Sequence, residues 1–212
     1  MCGKYIAHHL SSLSYTHPPT LTTTTFLSLL PLVLYFSLTP HPPPFPPLPL
    51  QYLGTWYEYE RFDNWFEAGM DCVRAEYGLN PDQTISVLNA GTRTFKLFGR
   101  TIFSRPASIN GDATTPDPAS PAQLKVSFSQ FDVIGGNEPN YYIVETDYDN
   151  YAVVFSCFNL PGLPVNIQFA WILTRDRGVA PANLNAIKSN LQAAGVRTKY
   201  FKSVNQADCP VV

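Results

Sequence analysis

An all-β domain, folded as an eight-stranded antiparallel up-and-down β-barrel with one C-terminal α-helix packed outside, is the fold the sequence predicts for residues 51–212. Three observations predict it. Short apolar segments rich in Tyr, Phe, Val and Ile recur after Gln51, separated by Gly, Pro, Asn and Asp. They number eight, at near-even spacing with short connections, which favours a meander whose closure pairs every exposed edge. Only one segment, after the last strand, has a helical period. A β-sandwich is the runner-up on pattern alone.

The strands are expected at 55–62, 71–79, 84–90, 94–103, 122–131, 140–147, 151–158 and 166–175. Leu124-Lys125-Val126-Ser127-Phe128-Ser129 alternates apolar and polar side chains, so one face is buried and the other meets water. Asp147-Tyr148-Asp149-Asn150 supplies turn residues for a tight hairpin between the sixth and seventh strands. The stretch from Pro106 to Pro121, with Asp112-Ala113-Thr114-Thr115-Pro116-Asp117-Pro118 inside it, reads as an extended mobile loop. From Pro181 to Ala194 the residues Leu184, Ile187, Leu191 and Ala194 form one apolar helical stripe. Pro181 suits the first turn and Gly195 the stop.

Residues 1–50 read as a segment outside the domain. They end in Thr39-Pro40-His41-Pro42-Pro43-Pro44-Phe45-Pro46-Pro47-Leu48-Pro49, an extended tract that cannot donate ladder hydrogen bonds. The apolar run Phe26–Leu38 is too short to span a bilayer, which takes about 20 residues. Its length suits the core of a secretory signal, although Lys4 is the only firm positive charge before it, and an atypical start that never packs stays open beside that reading.

With 14 Lys and Arg against 16 Asp and Glu, and no run of like charges, nucleic acid is excluded as the expected partner. All four histidines, His8, His9, His17 and His41, lie before residue 50, which removes the commonest general base and metal ligand from the domain. No metal site and no cofactor are expected.

Three short motifs then stand in order. They are Gly54-Thr55-Trp56 at the start of the first strand, Thr146-Asp147-Tyr148 at the late hairpin, and Arg175 after the eighth strand. With a helix following the third, the chain resembles the lipocalin family, in its apolipoprotein D-like branch, over about residues 52–210. The resemblance implies a closed barrel that carries a small hydrophobic molecule, such as a lipid, sterol, retinoid or pigment, in its interior and is secreted. It also implies that the Arg175 guanidinium lies across the Trp56 ring at the barrel floor, a cation–π contact worth about 0.5–2 kcal/mol. Gly54, Trp56, Thr146, Asp147, Tyr148 and Arg175 are then structural residues.

The four cysteines, Cys2, Cys72, Cys157 and Cys209, lack the close spacing of a structural zinc site. The resemblance implies a disulfide between Cys72 and Cys209, and with it an oxidising compartment. The family's usual partner for Cys157 lies in a Cys-Pro segment that the proline-rich tract replaces here. A free thiol at Cys157, or pairing with Cys2 or another molecule, therefore stays open.

Parity groups Val73, Ala75 and Tyr77 on one face of the second strand, and Ile167, Phe169 and Trp171 on one face of the eighth. With Phe128 and Tyr142, as the resemblance implies, Val73, Ala75, Tyr77, Phe169 and Trp171 form the expected ligand-binding wall. Glu145 and Gln168 are its candidate polar handles. Arg61, Phe62 and Trp65-Phe66 are placed on a long first loop, where the paired aromatics suggest a lid, a barrel-mouth plug, or a transient membrane or protein contact. A carrier without catalysis is the expected function. The alternative is a thiol-dependent isomerase or antioxidant using Cys157.

Overall fold

The structure, a computed structural model, describes residues 50–98, 100–128, 138–159 and 166–210. The expectations for the segment before Leu50, and for the end of the predicted strand 122–131, lie outside these residues. The strands are β1 (Gly54–Phe62), β2 (Met70–Leu79), β3 (Ile85–Leu97), β4 (Arg100–Thr114), β5 (Gln123–Phe128), β6 (Tyr141–Thr146), β7 (Tyr151–Asn159) and β8 (Asn166–Thr174). Each pairs antiparallel with the next. β1 pairs with both β2 and β8, through Trp56 with Ala75 and Glu58 with Leu173, so the sheet closes on itself. A short β9 (Phe201–Ser203) takes the edge of β1 over Glu60–Phe62, beyond the part that pairs with β2.

Alternation divides the wall into two faces. Trp56, Ala75, Tyr77, Ile85, Val87, Ala113, Leu124, Ile143, Ala152, Val154 and Leu173 point inward and form the main core. Tyr151, Val153 and Ile172 point outward, where Ile187 and Leu191 of helix α1 (Leu184–Ala193) cover them. Pro181 sits in the turn before the helix and accepts the Leu184 N–H, while Gly195 takes the left-handed φ of 83° that ends it. Lys188 of α1 also meets Glu60 at 2.7 Å, tying the helix to β1.

Two sequence expectations are corrected. The predicted strand 94–103 straddles two strands, because β3 and β4 are long and turn at Phe98, a residue with a φ of 49°. The stretch 106–114, predicted as mobile loop, is the second half of β4. Pro106 pairs with Thr92, and β4 meets β5 only from Gly111 to Thr114, so this proline sits on an edge among the described residues, where its missing N–H is tolerated. In addition, Arg61 and Phe62 end β1 and do not begin a loop.

Cys72 and Cys209 form a disulfide with a Cα separation of 5.6 Å. The surrounding chain reinforces it. Cys72 donates its N–H to the Asn205 carbonyl, and the buried Gln206 amide bridges the carbonyls of Glu58 and Val73 at 3.0 and 2.8 Å. Cys72 itself adopts a φ of 58° where the β2–β3 register shifts. Cys157 is disulfide-bonded too, its partner lying outside the described residues, so the free-thiol reading does not hold.

Candidate functional site

The three short motifs converge at the closed end of the barrel. Gly54 has a φ of 92°, and a Cβ there would meet an Arg175 guanidinium nitrogen at 3.5 Å, so glycine both permits the turn and leaves room for the arginine. The Arg175 guanidinium lies 3.6 Å from the Trp56 ring centroid. It donates to the carbonyls of Tyr148 (3.0 Å), Thr55 (2.9 Å) and Gln51 (2.6 Å). Trp56 in turn donates its indole N–H to the Tyr52 carbonyl at 2.8 Å. One planar cation therefore staples the entry turn, the first strand and the late hairpin.

Thr146-Asp147-Tyr148 builds that hairpin. The Asp147 carboxylate accepts the backbone N–H groups of Asn150 and Tyr151 at 2.8 and 2.9 Å, and the Thr146 hydroxyl donates to the Tyr151 carbonyl. Burial pushes the Asp147 carboxyl up, but these bonds outweigh it and hold the group below its ordinary value.

Above the floor, the lumen is lined by aromatic rings around two polar clusters. The phenols of Tyr52, Tyr77 and Tyr141 form a chain, with Tyr141 3.2 Å from Tyr52 and 2.6 Å from Tyr77. Burial raises all three phenols, Tyr77 to about 12, so they stay neutral hydrogen-bonding groups. Phe128 crosses beside Gly111, where an added Cβ would clash with the Ser127 carbonyl oxygen and lie 2.5 Å from the phenyl ring; only glycine leaves that space. Trp171 stacks toward Tyr141 at 6.5 Å.

The second cluster stands nearer the mouth. Glu58 points inward and accepts from Arg61 at 2.6 Å, and Arg61 also lies 3.5 Å from Glu67 of the β1–β2 loop. The Trp171 indole N–H reaches the same Glu67 carboxylate at 3.4 Å. Burial, and next the Glu67 carboxylate, push the Glu58 carboxyl well above its usual range in spite of the arginine. Asn89 pairs with inward Ala75 and shares its face, and its buried Oδ1 has no hydrogen-bond partner among the described residues. Phe66 of the β1–β2 loop packs on Phe169 at 5.2 Å, so this loop plugs the mouth.

Among the predicted wall residues, Ala75, Tyr77, Phe128 and Trp171 join the interior cluster. Phe169 lies at the mouth against Phe66 and Trp171, and Val73 is buried beside Gly91 at the β2 register shift. Tyr142 is misplaced by the prediction. It pairs with Phe155, whose ring belongs to the outer wall, and its neighbour Tyr141 takes the inward position. The polar handles are corrected as well. Glu145 accepts from Tyr151 beneath the helix, and Gln168 bonds Asn166 outside. Glu58, Glu67, Asn89 and Tyr141 are the inward polar residues that sequence reasoning missed, and Arg61, expected on the loop, stands on β1. The alternation Trp56-Glu58 was the available signal for the first of them.

Cys157 shares the outer face with Phe155 and Ala170. Its sulfur is bonded and turned away from the lumen. The aromatic pair on the first loop also divides. Phe66 turns into the mouth, while Trp65 is 68% exposed.

Comparison with known proteins places this geometry in context. A family model described as a lipocalin-like domain matches residues 50–206. Apolipoprotein D of Cavia porcellus is 33% identical over 177 residues, covering 83% of this chain and 86% of that protein. The Lazarillo protein of Schistocerca americana is 31% identical over 160 residues, covering 74% and 69%. Among solved structures, lobster apocrustacyanin A1 superposes with a TM-score of 0.56 at 23% identity, covering 76% of this chain and 81% of its own. Insecticyanin of the tobacco hornworm Manduca sexta does so at 0.56 and 22%, covering 74% and 80%.

Proposed function

The chain belongs to the lipocalin family, and from that premise we propose that it binds and transports a small, mainly apolar molecule with one polar end inside the barrel, outside the cell. The observation that carries the reading is the inward set of Tyr77, Phe128, Tyr141 and Trp171 above a stapled floor, with the β1–β2 loop packed across the mouth. Rings of that size cover an apolar guest's surface at about 25 cal/mol per Å² before the costs of association.

The polar end of the guest faces Glu58, Arg61 and Asn89. The Asn89 Oδ1, without a hydrogen-bond partner among the described residues, favours a donor, such as a hydroxyl, on the molecule held there. Lipids, sterols, retinoids and pigments with such an end fit this description. Residues 51–212 form the binding unit. The bonded state of Cys72, Cys157 and Cys209 supports an oxidising, extracellular setting. The outward, bonded Cys157 takes support away from the thiol-dependent reading.

Titration of the protein with all-trans-retinol, read by quenching of tryptophan emission, tests the proposal. Saturable quenching is expected, weakened at least tenfold by Trp171→Ala and little changed by Tyr142→Phe. Equal affinity in Trp171→Ala and wild type would place any binding elsewhere and refute the assignment of the lumen.

A further inference from the structure

The β3–β4 hairpin runs past the rest of the barrel mouth. Arg93 pairs with Met70, the first residue of β2, and Thr94–Leu97 continue beyond it, paired with Arg100–Ser104 of β4. Four residues at about 3.3 Å each carry the tip about 13 Å past that pair. Phe98, at the turn, is 96% exposed, and Phe95, Leu97, Ile102 and Phe103 are each about half-exposed. The Phe95 and Phe103 rings stack across the strands at 5.4 Å. Trp65 is exposed on the neighbouring loop, which the Arg93 guanidinium holds through the Phe66 carbonyl at 3.0 Å. Scattered apolar residues on a surface need no explanation, but a cluster confined to one projecting tip does.

The charge along this hairpin is one-sided. No Asp or Glu occurs between Gln83 and Gly111, while Arg93, Lys96, Arg100 and Arg105 do, giving this stretch a charge of +4 in a chain of −2. Arg93 and Arg105 form a cross-strand pair two rungs below the stacked Phe95 and Phe103, on the same face of the hairpin. Like charges directly opposite each other repel, and an anion between them relieves the cost. Along the hairpin, therefore, a cationic rung is followed by an aromatic rung and then by an apolar tip. A lipid surface has the matching order, anionic phosphates outside an acyl boundary that accepts apolar side chains to a depth of about 5–10 Å.

We propose that the β3–β4 hairpin docks the protein, open end first, onto an anionic lipid bilayer surface. Self-association through the same tip would bring two stretches of +4 together and is disfavoured by that repulsion. The inference does not depend on the identity of a guest in the lumen, and its failure would leave the ligand-binding reading standing.

Flotation of the full protein with phosphatidylcholine vesicles, with and without phosphatidylserine, tests it. The protein is expected to float with the phosphatidylserine vesicles at low salt, and to bind neutral vesicles about tenfold more weakly. Binding should fall to the neutral level in Arg100→Glu/Arg105→Glu and be lost in Phe98→Ser/Phe103→Ser. Because these side chains are exposed, both variants should keep the wild-type Tm and retinol affinity, which separates lost docking from lost folding. Wild-type protein that stays unbound with both vesicle types would overturn the proposal, as would folded variants that float like wild type. A concentration-dependent dimer in sedimentation, abolished by Phe98→Ser/Phe103→Ser, would assign the tip to a second copy and overturn it also.

Discussion

Replacing Arg175 with alanine removes the cation that joins the floor of the barrel. Three hydrogen bonds and the contact with the Trp56 ring go with it. The bond to the Gln51 carbonyl is exposed and recovers through water, so it is counted as nothing. The bonds to Tyr148 and Thr55 are partly buried, and each charged donor contributes about 1.5 kcal/mol at the low end of its range. The cation–π contact adds about 0.5–2 kcal/mol. The expected loss is thus about 4 kcal/mol, or about 8–16 °C in Tm for a domain of this size. Urea unfolding followed by circular dichroism, with the disulfides intact, measures it. Arg175→Lys should recover less than half, because an ammonium reaches one carbonyl and does not lie flat on the indole. An alanine variant within 1 kcal/mol of wild type, or a lysine variant as stable as wild type, would refute the staple.

Three further outcomes follow from the same geometry. Cys72→Ser/Cys209→Ser opens a loop with a sequence separation of 137, and should cost up to about 5 kcal/mol in urea, with most of the difference vanishing when both proteins are reduced. Gly111→Ala drives a methyl group into the Ser127 carbonyl oxygen and the Phe128 ring and should destabilise by about 1–3 kcal/mol; a neutral result would show that both the β5 backbone and the Phe128 ring have room to move. For Glu58, whose folded carboxyl is raised by burial first and Glu67 second, the native state holds more protons than the unfolded chain above the ordinary carboxylate pKa. Stability should therefore decline as pH rises from the ordinary value toward the raised one, and Glu58→Gln should flatten that decline. Parallel stability profiles for the two proteins would contradict the assignment.

Much of the wall was legible because alternation in a closed sheet is a strict rule. Val73, Ala75 and Tyr77 on β2 and Phe169 and Trp171 on β8 share their faces as the sequence implies, and the helix stripe meets the outer wall through Ile187 and Leu191. The three motifs carried the family and the floor. Failures came where a shift of one residue decides which side a group occupies. At β6 the resemblance selected Tyr142, yet the register with β7 turns it outward and Tyr141 inward. Prolines at 106, 116 and 118 suggested a loop, because edge position, which tolerates Pro106, is a property of strand pairing and not of local sequence. The pairing of Glu58 with Arg61 and Glu67 brings wall and loop together across the mouth, and nothing in the spacing of those three residues signals that they meet.

The claim that the barrel carries cargo is tested most directly by native mass spectrometry of the protein purified from its natural source. The expected result is a species heavier than the disulfide-bonded chain by the mass of one small apolar molecule, which Trp171→Ala protein from the same source lacks. A wild-type protein that arrives only at the mass of the bare chain, and takes up no added retinol, would contradict it.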